Sequence, residues 1–340
     1  MIYILGLVAV ILGVALDQFT KYLAVTQIKE QPIILIDGVL EFRYLENRGA
    51  AFGMLQNQQW FFLIITVITL CLIVYTYIKL PREKHFTPLR ICMITLTAAK
   101  ENGVLLSVFQ QTFYAPYYLA AKQVADSGIL GDILQVNVAF NGFARRWDWQ
   151  TLQMKMGGSV YNTGPHPIGI ALGFLDFDEK MQVVYSKLDI ALSSGDAEDY
   201  AKMILTAPGK PVVDVEINST DAFSNYNIKI QGTKGTYQST PGAYKMKYVV
   251  DGENPERPVV PGSLMDEEGL PIYCSEKLIT HEEEGTFDGN AFNVGTRDLY
   301  KNLYDTLNGT RAMEVTAEHA AKIINVIETV HAQNPLPVKY

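Results

Sequence analysis

The residue best placed to do chemistry in this 340-residue chain is a histidine in a glycine- and proline-rich stretch. His166 lies in GGSVYNTGPHPIGIAL, residues 157–172, four positions after Asn162. A neutral imidazole at a helix entrance can take a proton from a hydroxyl, and a nearby amide can orient that hydroxyl. A lone histidine also serves often as a hydrogen-bonded structural residue, and spacing alone leaves both readings open. Just upstream runs RRWDWQ, residues 145–150. Arg145 and Arg146 could clamp an anionic or polyol ligand, and Trp147 and Trp149 could stack on a sugar ring. The same residues would also suit a solvated surface pair and core aromatics.

A second group lies far from the first. Asp17 and Lys21 are four apart, hence on one face of a helix, where an interfacial ion pair is the simplest reading. Asn47 opens the small-residue loop NRGAAFG, in which backbone and amide could approach a ligand closely. Metal chemistry has no support in the spacing. Cys71, Cys92 and Cys274 are far apart, form no CxxC pair and, being three, give no disulfide framework. His281 beside Glu282–Glu284 reads as a charged loop, and His319 and His331 sit on a helix without a partner pattern. GTKG at 232–235 lacks the spacing of a phosphate loop and reads as a hairpin turn.

The elements that must carry these groups differ between the two ends of the chain. Residues 1–16 hold no charge, and the apolar character resumes at 22–25. Without a basic start or a small-residue cleavage site, this reads as a retained transmembrane helix over about 1–25. Residues 33–45 read as a β-hairpin around Asp37-Gly38, lying on the bilayer surface. A second membrane helix is expected over about 60–78, with Trp60, Tyr75 and Tyr77 near its ends. Lys79, Arg82, Lys84 and Arg90 then follow, which places that end, and everything after it, on the cytoplasmic side of the inner membrane.

At 91–98 a third apolar helix begins, but Lys100, Glu101, Asn102 and Gly103 stop it. Eight helical residues rise about 12 Å, against a hydrocarbon core of roughly 30 Å, so it cannot span. Beyond this seam the charge changes sign. Residues 1–98 carry eight Lys/Arg and six Asp/Glu; the rest carries 20 and 30. An acidic domain with no basic run among aromatics excludes nucleic acid as a partner. Strands are expected at 104–108, 133–140, 181–191 and 212–218, with 228–237 broken at the GTKG turn. Helices are expected at Pro116–Asp126, 292–308 and 317–332. The fold class is therefore a transmembrane α-helical segment with a hairpin, over about 1–95, followed by a soluble α+β domain over about 97–340 with a mostly antiparallel open sheet.

Each part resembles a known family. LDQFTK, DGVLEFRYLEN and NRGAAFGML look like lipoprotein signal peptidase (signal peptidase II). The resemblance implies a membrane aspartic protease in which Asp17, Lys21 and Asn47 face lipid or substrate. Its two catalytic aspartates, in GNxxDR and FNxAD motifs, have no counterpart here. The second part is similar to the carboxy-terminal domain of the Gfo/Idh/MocA oxidoreductases, through GDILQVNVAF, RRWDWQ, GGSVYNTGPH, GTKGTY and NPLPVKY. That implies hydride transfer between NAD or NADP and a sugar or polyol, with His166 and Asn162 near the reacting hydroxyl and Arg146, Trp147 and Trp149 on the substrate side. The family's dinucleotide fingerprint GxGxxG and its EKP lysine are absent, Gly169 stands where an aspartate is common, and Gln111 and Thr112 stand where arginine is common. The chain is thus expected to bind no cofactor alone, to be catalytically incomplete in both parts, and to self-associate through its sheet domain.

Overall fold

The computed structural model describes residues 19–22, 25–26, 33–36, 40–42 and 88–340. The expected membrane helices therefore lie almost wholly outside the described residues, as do Asp17 and Asn47. Residues 19–22, including Lys21, form a helical turn. Strands β1 (Ile33–Ile36) and β2 (Leu40–Phe42) pair antiparallel, as the hairpin pattern expects. The chain divides into two compact units, residues 1–82 and 83–340.

The second unit opens with helix α1 (Pro88–Glu101), which is closed by Asn102 and by Gly103 at φ +62°. Its 14 residues rise about 21 Å. Among the described residues no helix is long and apolar enough to cross a membrane. Leu96 of α1 is buried against Ala317 and Ala321, and Lys100 pairs with Glu318 at 2.7 Å. Thus α1 folds onto the sheet domain through helix α6 (Ala317–Gln333). The strand expected at 104–108 does not form. It pairs with no strand among the described residues, and Leu106 and Val108 pack beside Leu96 instead.

Helix α2 (Pro116–Asp126) starts at a proline, whose fixed φ suits the first helical position, and ends at Ser127 before Gly128. The remaining elements are β3 (Ile133–Asn141), α3 (Ser159–Asn162), α4 (Pro165–Phe174), β4 (Gln182–Asp189), β5 (Tyr200–Thr206), β6 (Val212–Asn218), β7 (Ile228–Gly232), β8 (Gly235–Ser239), β9 (Ala243–Tyr248), β10 (His281–Thr286) and α5 (Ala291–Leu307). Strands β3 to β10 make one open sheet in the order β10-β9-β8-β7-β3-β6-β5-β4. The β3–β6 pair is parallel; every other neighbouring pair in this sheet is antiparallel. This is the open, mostly antiparallel sheet that the sequence predicts.

Alternation sets the two faces. Ala201, Met203 and Leu205 of β5 and Val213, Val215 and Ile217 of β6 are buried, while Lys202, Asp214 and Glu216 stand on the other side. Lys202 sits 2.8 Å from Asp214 and 3.1 Å from Glu216 on that polar face. The apolar face receives α4, an almost wholly buried helix, and α6. Burial of an aliphatic side chain is worth about 1.5–3 kcal/mol, so this one layer of helices on sheet supplies most of the domain's drive to fold. His281, expected in a loop, begins edge strand β10 and lies 2.6 Å from Glu253, while Lys247 of β9 pairs with Glu282.

Candidate functional site

Two openings meet at the short helix α3. A polar cleft of about 200 Å³ is lined by Arg145, Arg146, Asn162, Thr163, Ser193 and Ser219, among others. On the other side of Asn162, a larger cavity of about 380 Å³ is lined by His166, Gln110, Gln111, Phe109 and Phe292. Asn162 lines both. The structure thus brings Asn162 together with Arg146 in one opening and with His166 in the other. Trp147 and Trp149 line neither and are 80% and 59% exposed.

His166 enters at the first turn of α4, fixed by Pro165 and Pro167 around it. Its Nδ1 lies 2.6 Å from the Thr112 hydroxyl, and its Nε2 has no hydrogen-bond partner among the described residues. Burial pushes its pKa below the ordinary histidine range, because the apolar surroundings penalise the charged ring. The imidazole is therefore neutral at pH 7 and can act as a base. Thr112 belongs to a one-turn 3₁₀ helix (Gln111–Tyr114). That turn is held on α5 by the Tyr114 hydroxyl, which donates to Asn302 Oδ1 at 2.9 Å. Phe113 of the same turn packs edge-on to Tyr118 and against Phe177 and His319. Gly169, one turn after His166, is where a Cβ would come within 3.2 Å of Ile323 and Phe113. The packing of α4 on α6 leaves no room there for a longer side chain without a shift of these neighbours.

Sequence reasoning missed the acidic segment 196–199, of which Glu198 and Asp199 line the polar cleft. Glu198 is buried, and its carboxylate accepts the Val160 N–H at 3.0 Å, just inside α3. His331 Nε2 lies 3.4 Å from the same carboxylate, and the His331 ring stacks on Tyr161 at 4.5 Å. Burial alone would lower the His331 pKa, but the Glu198 carboxylate beside the ring outweighs it and holds the pKa above the ordinary value. Asp199 accepts the backbone N–H groups of Ala191, Leu192 and Ser193 at 2.6, 2.8 and 2.6 Å. Asp196 accepts those of Gln153 and Lys339, both at 2.9 Å or less. His319, likewise read as partnerless, caps α6 in a reciprocal pair with Thr316 and stacks on Phe177 at 3.9 Å. The signal for these contacts lies in tertiary pairing, which no local pattern carries.

A family profile for signal peptidase (SPase) II matches residues 9–126, and one for the GFO/IDH/MocA C-terminal domain matches residues 118–238. The lipoprotein signal peptidase of Caldanaerobacter subterraneus is 48% identical over 85 residues, 24% of this chain and 57% of that protein. The chain therefore spans little more than half the length of that curated relative. Among solved structures, an NAD-binding protein from Listeria innocua aligns with TM-score 0.56 at 18% identity, over 72% of this chain and 69% of its own. An oxidoreductase from Bacillus cereus aligns with TM-score 0.53 at 17% identity, over 74% and 69%. At such identities the likeness is one of fold. The two parts of this chain resemble two different enzyme families.

The Gfo/Idh/MocA-like match takes in Arg146, Trp147, Trp149, Asn162 and His166; the signal-peptidase-like match takes in Asp17, Lys21 and Asn47. The two matches overlap at α2, which packs on β7 and β8 and so folds with the sheet. The oxidoreductase likeness brings a nicotinamide cofactor into question, and the described residues fit it poorly. A dinucleotide crevice needs a parallel strand, a glycine-rich turn and a helix whose N-terminus meets the pyrophosphate. The parallel strand β3 is followed by NGFARRWDWQ and a 3₁₀ turn, with no GxGxxG. Among the described residues no group of His, Cys, Asp and Glu could hold a metal ion.

Proposed function

We propose that residues 83–340 are the substrate-binding half of a sugar or polyol oxidoreductase, held at the inner membrane by the signal-peptidase-like segment, and that the nicotinamide is brought by another chain. The observation that carries this reading is Asn162, which lines both the polar cleft and the His166 cavity. A polyol in the cleft would place hydroxyls against Arg146 and Asn162, and one hydroxyl would reach toward the His166 side. Neutral His166 would take that hydroxyl's proton on Nε2, with Thr112 holding the ring through Nδ1. Trp147 and Trp149 would close over the ligand from the rim. In this reading neither part completes a reaction alone. The signal-peptidase-like segment, with Asp17, Lys21 and Asn47, acts as an anchor facing lipid, with the sheet domain on the cytoplasmic side. The bare aromatic face at Phe109, Phe292 and Tyr300 would take the missing half or a second copy of this chain.

The test is binding by the full chain in detergent. Titration with myo-inositol should give a saturable signal without cofactor, weakened about tenfold by Asn162→Ala or Arg146→Ala, as expected for loss of one or two hydrogen bonds. NADH fluorescence should stay unchanged. A saturable NADH signal would overturn the shared-site reading and make the chain a cofactor-binding enzyme. A second reading, prolipoprotein cleavage, draws on the 48% identity to a lipoprotein signal peptidase. Turnover of a diacylated prolipoprotein that disappears in Asp17→Ala would establish it over the anchor role.

A further inference from the structure

One stretch of the domain keeps its backbone unpaired. Exposure alternates along it: Leu105, Ser107 and Phe109 are exposed, Leu106 and Val108 pack beside Leu96 of α1, and Gln110 is buried. That is the period of an extended strand. Yet from Leu105 to Phe109 no backbone N–H or carbonyl has a hydrogen-bond partner among the described residues. With every second residue exposed, water can satisfy these groups and a partner strand can replace the water. The edge strand β10 guards the same kind of row with charge, through His281 and Glu282–Glu284. Leu105–Phe109 has no such guard. No Asp, Glu, Lys or Arg lies between Glu101 and Lys122, and no proline between Pro88 and Pro116.

We propose that Leu105–Phe109 pairs antiparallel with the same segment of a second copy of this chain, about a twofold axis at Ser107. The apolar pattern is symmetric about that residue. Such pairing sets Leu105 opposite Phe109 of the second copy and Leu106 opposite its Val108, with the small Ser107 meeting itself on the axis. A contact of this symmetry brings charges against their own copies, which an acidic domain resists; this uncharged segment meets no such repulsion. The apolar surface continues onto α5, where the Phe292 and Tyr300 rings lie 6.5 and 6.2 Å from Phe109 and are exposed. Phe109 also lines the His166 cavity, so pairing sets Leu105 of the second copy at its rim. The open edge offers its bonds to a strand of any other chain, but only a second copy uses the symmetry about Ser107. This inference does not rest on the polyol reading, because the polar cleft on the far side of Asn162 contributes none of these groups.

The test is size-exclusion chromatography with light scattering on the full chain in detergent, with the detergent mass subtracted. A dimer is expected. Ser107→Pro removes an N–H that the single chain leaves unbonded, so it should keep the far-ultraviolet circular dichroism and raise the dimer dissociation constant at least about tenfold. Should the proline disturb the fold, cysteine crosslinking decides alone. In a background carrying Cys71→Ser, Cys92→Ser and Cys274→Ser, Ser107→Cys should form a disulfide-linked dimer, since opposed antiparallel residues lie about 4.5–5.5 Å apart. Leu105→Cys should not, because its two copies would lie roughly 13 Å apart along the strands. A monomer, a dimer unchanged by Ser107→Pro, or crosslinking equal at the two positions would overturn the pairing, a monomer leaving the edge to a strand of another chain. Myo-inositol titrated in the same samples reports on the cleft separately, so failure of either reading is seen without the other.

Discussion

Two sets of buried polar side chains in this domain are treated in opposite ways. Asp196, Glu198 and Asp199 are all at least nine-tenths buried, yet their carboxylates are met by backbone N–H groups from loops, from α3 and from the last residues of the chain. Gln110 and Gln111 are as deeply placed, and each keeps an oxygen with no partner among the described residues. The first set spends strong acceptors on fixing the backbone, and the charges stay buried because the donors are preorganised. Glu198 and Asp199 also line the polar cleft, with acceptors already met by backbone N–H groups, whereas Gln110 and Gln111 line the His166 cavity with an oxygen each unmet. The difference separates carboxylates whose acceptors hold the backbone from amide oxygens that hold nothing among the described residues.

The largest expected effect tests the first side of that contrast. Asp199→Ala leaves three backbone N–H groups of 191–193 without their acceptor. Hydrogen bonds to charged groups are worth about 1.5–3 kcal/mol each, with partial rescue by water, so the loss should be about 4 kcal/mol. Urea unfolding of the detergent-solubilised chain, followed by circular dichroism, measures it. A loss under about 1 kcal/mol would show that solvent replaces the carboxylate and that the loop is not built on it.

Gly158→Ala should cost nearly as much. Gly158 has φ +112°, a region closed to residues with a Cβ, and the added carbon would lie 2.2 Å from the Glu198 carboxylate. About 3 kcal/mol is expected from strain and clash together. In the Gly158→Ala, Glu198→Ala pair the steric part should vanish, so the two losses should add to more than the double variant shows. Strict additivity in the same unfolding assay would place the cost in the backbone alone.

A smaller effect follows from His331. Its folded pKa is raised, so the protonated ring contributes stability that is fully present below the ordinary histidine value near 6.5 and is lost as pH rises through the folded pKa. Urea midpoints should therefore fall as pH is raised from just below neutrality, and Glu198→Gln should flatten that slope by removing the charge that faces the ring. His166 works in the other direction. Its pKa is lowered by burial, so its contribution is present above 6.5 and lost as pH falls through its folded pKa. An unchanged slope in Glu198→Gln would assign the pH dependence to another group.

Much of the sheet was legible because its central strands alternate cleanly. VVDVEIN forms β6 over Val212–Asn218 as read, and the GTKG turn joins β7 to β8. Residues 104–108 show the limit of that signal. A short apolar run looks the same whether it pairs with a strand or packs against helices, and here it packs beside Leu96. Strand β10 was hidden for the opposite reason, since HEEEGT is a charged edge strand whose alternation has no apolar half. In the site, the glycines and prolines around His166 marked it, and Asn162 came with it. Gln110 and Gln111 carried no such mark: a neutral amide becomes informative only when burial shows its oxygen unpaired. Glu198 and His331 are far apart in sequence, and only the packing of α6 against α3 brings them together.

The smallest expected effect is the sharpest test of the contrast. Gln111 is 8% exposed, and among the described residues its Oε1 is unpartnered and its side chain holds no other group in place. Gln111→Met keeps the length and volume of the side chain and removes its polar end. A buried amide that builds structure would lose about 1–3 kcal/mol on such a change. Here the change should lie within about 1 kcal/mol of zero, and toward stabilisation, because an unpaired acceptor is replaced by an apolar group. A stability loss as large as that of Asp199→Ala would mean that Gln111 belongs with the carboxylates, as a residue that builds the fold. A change near zero would keep it apart from them, as a buried amide whose oxygen adds nothing to the fold.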